Sequence, residues 1–141
     1  MYKIIKLDTV EEMLGYHELL QLMYPEMQKN DYDRKLTEML KNGYKQIAAF
    51  DHDVCVGIAG YWINTRISCD KYIDIDNVVV RTDYRSKSVG KGMIDWLENL
   101  ARQEGCYYSI LDAYVENRKA HKFYFREGYI IRGFHFLKSL K

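Results

Sequence analysis

Apolar and polar residues alternate from position 2 to 7, the period of a half-buried strand. Thr9 then offers a helix cap, and Glu11 and Glu12 fall in the first turn, where carboxylates meet the positive helix end. Met13, Leu14, His17, Leu20 and the Met23-Tyr24 pair continue one helical run, which Pro25 ends. A second helix is predicted over 33–40, where Leu36, Met39 and Leu40 share a face, and Asn42-Gly43 closes it. Strands follow at 44–50 and 54–63 around the hairpin turn Asp51-His52-Asp53, then a loop at 64–71. A β-branched strand covers 72–80, and a helix over 89–104 turns Met93, Trp96, Leu97 and Leu100 inward before Gly105. A strand at 107–113, a helix at 117–127 stopped by Gly128, and a last strand at 129–137 complete the pattern.

The resulting order is β-α-α-β-β-β-α-β-α-β. It predicts an α/β fold of the mixed type: a central mixed sheet with helices on both faces. No repeat or linker interrupts the pattern, so residues 1–141 read as one domain. Apolar content of 48% and charged content of 29% belong to a globular chain. A net charge of +1 gives no global field for nucleic acid or membrane, so neither is expected as a partner. Cys55, Cys69 and Cys106 are odd in number and form no C-x-x-C pair. That argues against a disulfide framework or zinc site and for a cytoplasmic setting. The N-terminal residues are too charged for a signal peptide, and no apolar run approaches the ~18 residues of a membrane helix.

The 72–93 segment carries the most chemistry. A strand ends at Val80, a short basic turn follows, and a helix starts near Val89. Such a turn aims free N–H groups and a positive helix end at one point, which suits a phosphate. Arg85, Lys87 and Lys91 add charge, while Gly90 and Gly92 let a ligand approach the backbone. The turn is not a Walker A loop: no glycine stands five residues before Gly90, and Gly92 occupies the Ser/Thr place. It also lacks the third glycine of a dinucleotide fingerprint. Taken alone, the same small residues would serve equally for tight packing.

The wider context resembles the Gcn5-related N-acetyltransferase (GNAT) superfamily. Ile75-Asp76-Asn77-Val78-Val79-Val80 and Tyr84-Arg85-Ser86-Lys87-Ser88-Val89-Gly90 take the places of its acetyl-CoA signature. Asn117, Ala120, Phe123, Tyr124, Gly128 and Tyr129 match its second signature, Asn-x-x-Ala-x-x-Phe-Tyr-x-x-x-Gly-Tyr. One departure stands out: Ser88 sits where the family usually has glycine, and Ser86 where glycine is common. Serine keeps its amide donor, but a positive φ there would cost it strain.

The resemblance implies acetyl transfer from acetyl-CoA to a primary amine, either a small molecule or a protein lysine, by direct attack in a ternary complex. It implies that amides of Arg85, Ser86, Lys87, Ser88, Val89, Gly90 and Lys91 hold the pyrophosphate. The strand end at Val78, Val79 and Val80 would line the pantetheine arm, with a Val78 or Val79 N–H polarising the thioester. Asn117, Ala120 and Tyr124 would complete the cofactor helix. Tyr124 would be the general acid. Asp76 would be the base, directly or through a water, with Asp74 in reserve on the same strand face. Without the resemblance, Tyr124 is an ordinary core aromatic, Asn117 a plain N-cap, and the aspartates a solvated strand edge.

His17, His52, His121 and His135 are proton-shuttle candidates that serve equally as structural residues. Met23, Tyr24, Tyr32 and Trp62 are candidate acceptor-lining residues, though an amphipathic element would bury the same types. The competing function is a non-catalytic acyl-CoA-binding or sensor module. A nucleotide-binding domain of another kind stands behind it. The family analogy also admits a homodimer, its last strand at 129–137 pairing across subunits.

Overall fold

The computed structural model describes residues 1–141, which divide into two compact units, Met1–Ile110 and Leu111–Lys141. The first contains β1 (Lys3–Leu7), α1 (Val10–Leu14), α2 (His17–Leu20), α3 (Lys29–Lys41), β2 (Lys45–Asp51), β3 (Val54–Arg66), β4 (Asp70–Val80) and α4 (Val89–Gln103). β5 (Tyr108–Leu111) ends that unit, its last residue opening the second, which carries α5 (Arg118–Arg126).

The strands lie in the order β1-β2-β3-β4-β5, and the first three ladders are antiparallel. β5 arrives through the α4 crossover, the connection a parallel neighbour needs, and the sheet is mixed as expected. Tyr107 N–H donates to the Lys71 carbonyl at 2.7 Å, so β5 joins beside the start of β4.

Both sheet faces are covered. On one, Leu7, Met13, Leu20, Leu36, Ala48, Ile58 and Val79 form a buried cluster under α1–α3. On the other, α4 buries Val89, Met93, Ile94 and Leu97. Gly57 admits α4 closely: a Cβ there would stand 2.9 Å from Met93 Cε and 3.0 Å from Val89 Cγ1. A larger residue at 57 would lift the start of α4 off the sheet.

Three elements depart from the sequence pattern. The first predicted helix is two short ones. Gly15 ends α1, and Tyr16 turns out of the axis to set its ring edge-on to Phe50, with centroids 6.0 Å apart. Glycine's weak helix propensity makes that break inexpensive. The predicted 64–71 loop is mostly strand, because Arg66 pairs with Asp70 in register. Three residues turn the hairpin, and Asp70 takes the left-handed conformation (φ 60°) such a turn uses.

The third departure is at the C-terminus, where the expected strand at 129–137 does not form. Ile130, Ile131, Phe134, Phe136 and Leu137 are all largely exposed there. β-prone apolar residues are a local property, whereas a strand exists only beside an edge that accepts its hydrogen bonds.

Candidate active site

The site begins with a fault in β4. Gly60 pairs with Asp76 and Ile58 with Val79, so Asn77 and Val78 together face the single residue Ala59. This is a β-bulge, and Asn77 makes it by adopting a left-handed conformation (φ 52°). Among the residues of this strand, asparagine tolerates that region best. The bulge reverses the parity of the strand. Asp74 and Asp76 before it, and Val79 after it, therefore point to the α1–α3 face. Asp76 is exposed, and its Oδ1 accepts the Asn77 N–H at 2.9 Å.

A buried polar network anchors the bulge. Asn77 Oδ1 accepts the Tyr44 hydroxyl at 2.9 Å, and Asn77 Nδ2 donates to the Tyr24 hydroxyl at 3.3 Å. Gln46 Nε2 donates to Tyr44 at 3.0 Å and to Tyr32 at 2.8 Å. Burial holds the Tyr44 phenol neutral, its pKa raised far above the ordinary value. Trp62 packs on the Tyr44 ring with centroids 5.1 Å apart. Of the candidate lining residues, Tyr24 and Trp62 stand beside this network, Tyr32 is a buried member of it, and Met23 is exposed.

The turn after β4 is shaped by two left-handed serines, Ser86 (φ 62°) and Ser88 (φ 67°). The family's usual glycine is therefore replaced where positive φ is in fact adopted. Ser88 occupies the N-cap of α4 without making a side-chain cap, and no acidic residue lies in the first helical turn. The amides of Val89, Gly90 and Lys91 have no intrahelical acceptor in this geometry. A Cβ at Gly92 would meet open space, so that glycine does not serve packing. Arg85 is exposed, Lys91 pairs with Asp95 at 3.3 Å, and Lys87 Nζ lies 5.1 Å from the Tyr84 ring centroid. An uncapped, positively poled helix start that a backbone-hugging ligand can approach fits a pyrophosphate.

The turn is braced from outside the signature. The Tyr2 hydroxyl donates to the Lys87 carbonyl at 2.8 Å, and the Tyr2 and Tyr84 rings meet edge to face, with centroids 6.4 Å apart. Tyr84 donates to Asp51 Oδ2 at 2.6 Å, and that bond raises the phenol's pKa.

In the second unit, Asn117 caps α5, its Oδ1 accepting the Ala120 N–H at 3.2 Å. Tyr124 lies seven residues on, two turns later and on nearly the same face. Tyr124 is half-buried and packs edge-on to Tyr129, with ring centroids 5.8 Å apart. Gly128 (φ 96°) ends the helix in the left-handed manner. His121 Nε2 lies 2.8 Å from the Tyr114 carbonyl, and His135 Nδ1 lies 3.1 Å from Asp112 Oδ2. In the first unit, His17 Nε2 is 2.6 Å from the Met27 carbonyl, while His52 is exposed in the β2–β3 turn.

Sequence reasoning missed Tyr2, Tyr44, Gln46 and Asp51, and took Asn77 only as a strand residue. One signal was available: an asparagine inside a β-branched run marks a candidate left-handed position. The tyrosine partners carry no local signal, since their bonds span 33 to 85 residues of chain.

The acetyltransferase (GNAT) family model matches residues 13–129. A glucosamine 6-phosphate N-acetyltransferase from Arabidopsis thaliana is 30% identical over 131 residues, covering 83% of this chain and 84% of the relative. An aminoalkylphosphonate N-acetyltransferase from Salmonella typhimurium strain LT2 is 37% identical over 67 residues, or 48% of this chain, and the match spans only 44% of that relative. The aminoglycoside N-acetyltransferase AAC(6')-Iy, solved in complex with CoA, superposes with a TM-score of 0.84 at 18% identity, covering 100% of this chain and 96% of the other. The chain belongs to the acetyltransferase (GNAT) family and is an N-acetyltransferase whose cofactor is acetyl-CoA.

Proposed function

We propose that this enzyme acetylates a small primary amine by direct attack in a ternary complex. The observation that carries the reading is the pairing of the β4 bulge, with Asp76 at its edge, and the uncapped start of α4. Acetyl-CoA supplies an activated acetyl thioester. The chain's residues bind it, orient it and move two protons.

A lysine-like amine has a pKa of about 10.4, so near pH 7 only about one molecule in ~10³ is neutral. Asp76 accepts its proton, directly or through a water. One oxygen of Asp76 is engaged by the Asn77 N–H, which leaves the other to accept. The N–H of Val78 or Val79 faces the charge that develops on the acetyl oxygen. The Tyr124 hydroxyl donates to the departing sulfur. One N–C bond forms as one C–S bond breaks, the amine's proton ends on Asp76, and the thiol's proton comes from Tyr124. Solvent exchange then resets both groups.

The amides of residues 85–91 hold the pyrophosphate, and Asn117 and Ala120 are assigned to cofactor binding through the second family signature. Residues 1–141 are read as a single acetyltransferase domain, a reading supported by the family match over residues 13–129. The first acceptors to try are amines bearing an anionic phosphorus group. Two relatives are named for such substrates, an aminoalkylphosphonate and a sugar phosphate. Three free cysteines suit a reducing, cytoplasmic compartment. A second copy pairs through residues 129–137, where Ile130, Ile131, Phe134, Phe136 and Leu137 are exposed in the single chain.

The test is an acceptor screen read by release of free CoA thiol. Saturable thiol release with an amine, lost in Tyr124→Phe, supports the assignment. Acetyl-CoA binding without acetylation of any amine would instead support a sensor.

A further inference from the structure

The asparagine at the bulge does more than permit the bend. Left-handed backbone costs a non-glycine residue roughly 1–2 kcal/mol, so an unanchored Asn77 would relax toward an ordinary strand conformation. That relaxation would rotate the peptide between Asn77 and Val78 and re-aim the Val78 N–H. Three bonds oppose it: Asn77 N–H to Asp76 Oδ1, Tyr44 hydroxyl to Asn77 Oδ1, and Asn77 Nδ2 to the Tyr24 hydroxyl.

The Tyr44 end is buried and held by several contacts. Tyr44 is 2% exposed, takes a bond from Gln46, and packs at a tilt against Trp62. Its hydroxyl lies over Gly60, where any Cβ would collide with it. Gly60 is the strand partner of Asp76. The donors run one way, from Gln46 through Tyr44 to Asn77 and on to Tyr24, so each bond polarises the next. The chain of bonds starts in the core and ends on Tyr24, in the segment that follows α2.

We propose that Asn77 is a positioning residue: its side chain, clamped between Tyr44 and Tyr24, fixes the direction of the Val78 N–H and of the Asp76 carboxylate. The inference rests on the proposed function, in which Asp76 faces the reacting amine and the N–H of Val78 or Val79 faces the acetyl oxygen, and it commits to Val78. It concerns the amide of Asn77, which the acetyl-CoA signature leaves unassigned.

Asn77→Gly is the discriminating variant. Glycine adopts the left-handed conformation freely, so the bulge remains accessible while both side-chain bonds are lost. The expected result is a kcat about tenfold lower, a fraction of what full loss of an oxyanion donor removes, with KM for acetyl-CoA within about twofold. Asn77→Asp, which keeps the acceptor for Tyr44 but loses the donor to Tyr24, should recover part of the loss. In amide NMR, Val78 should give one sharp resonance in the parent protein and an exchange-broadened one in Asn77→Gly. Unchanged kcat in Asn77→Gly, with the parent active, would overturn the proposal. So would a loss of kcat, cofactor affinity and thermal stability in equal measure, the mark of a merely structural residue. If the parent acetylates no amine, the function reading falls, and the Val78 resonance decides this inference alone: a line unaltered by Asn77→Gly would end it.

Discussion

Tyr2 and Lys87, 85 residues apart, are joined by a 2.8 Å hydrogen bond from the tyrosine hydroxyl to the lysine carbonyl. The bond ties the start of the chain to the turn between β4 and α4, where the proposed function places the pyrophosphate. Removing it should loosen the turn without unfolding the sheet. Tyr2→Phe is expected to raise KM for acetyl-CoA about two- to tenfold, the equivalent of one net hydrogen bond of ~0.5–1.5 kcal/mol, with kcat unchanged. Initial-rate kinetics at varied acetyl-CoA would show it, and an unaltered KM would dismiss the brace.

Ser88 caps α4 in a left-handed conformation (φ 67°) while its side chain makes no cap bond. The residue therefore bears backbone strain with no compensating hydrogen bond of its own. Ser88→Gly should stabilise the fold by about 1 kcal/mol, raising Tm by about 2–5 °C in a domain of this size. Ser88→Ala should be close to neutral. Thermal denaturation of both variants checks the pair, and a destabilised Ser88→Gly would contradict it.

Gly92 separates folding from binding by sign. It lies in α4 with open space around its Cβ position, so alanine should stabilise the helix by about 0.5–1 kcal/mol. If the cofactor lies against the helix start, the same methyl group stands in its way. Gly92→Ala should then raise Tm while weakening CoA binding. Calorimetric titration with CoA beside a thermal melt gives both signs, and unweakened binding would move the ligand away from this turn.

Cys55 predicts an alkaline weakness. Its thiol is half-buried, donates to the Gly57 carbonyl at 3.5 Å, and is pushed by burial from an ordinary 9.0 to about 11. Above pH 9 the unfolded chain loses this proton and the folded chain keeps it, so stability falls with rising pH and levels off near 11. The full shift corresponds to about 2.7 kcal/mol, which partial exposure reduces to roughly 1. Tyr16, Tyr32, Tyr44 and Tyr61, all raised chiefly by burial, continue the decline above pH 10. Denaturant midpoints measured from pH 8 to 11 should fall less steeply for Cys55→Ala. Parallel curves would remove Cys55 from the account.

The legible parts of this molecule were those with local causes. Thr9 bonds the Glu12 N–H at 3.1 Å as an N-cap should, and Gly43, Gly105 and Gly128 close their helices at positive φ. The strand–turn–helix from β4 to α4 was legible because its glycines, cations and flanking strand lie within one short segment. The bulge was not, since its left-handed residue is chosen by Tyr44 and Tyr24, which no local pattern connects to Asn77. The strand expected at 129–137 does not form, because pairing is decided by an available edge rather than by the residues of the segment itself.

Asp76 offers the cleanest test of the chemistry, because its amide analogue preserves its structural bond. The Asp76 Oδ1 accepts the Asn77 N–H at 2.9 Å, and an asparagine oxygen can accept the same bond. Asp76→Asn therefore removes basicity while keeping the bulge. As the general base, Asp76 should be worth about 10²–10⁴-fold in kcat/KM, and the acidic limb of the pH–rate profile should shift in the variant. Asp74 sits two residues back on the same strand face, so Asp74→Asn is the matched control. It changes the charge of that face by the same amount without touching the proposed base. An acidic limb that moves in Asp74→Asn and stays put in Asp76→Asn would transfer the role to Asp74. A limb unmoved in both would assign proton removal to solvent or to the ionisation of the amine itself.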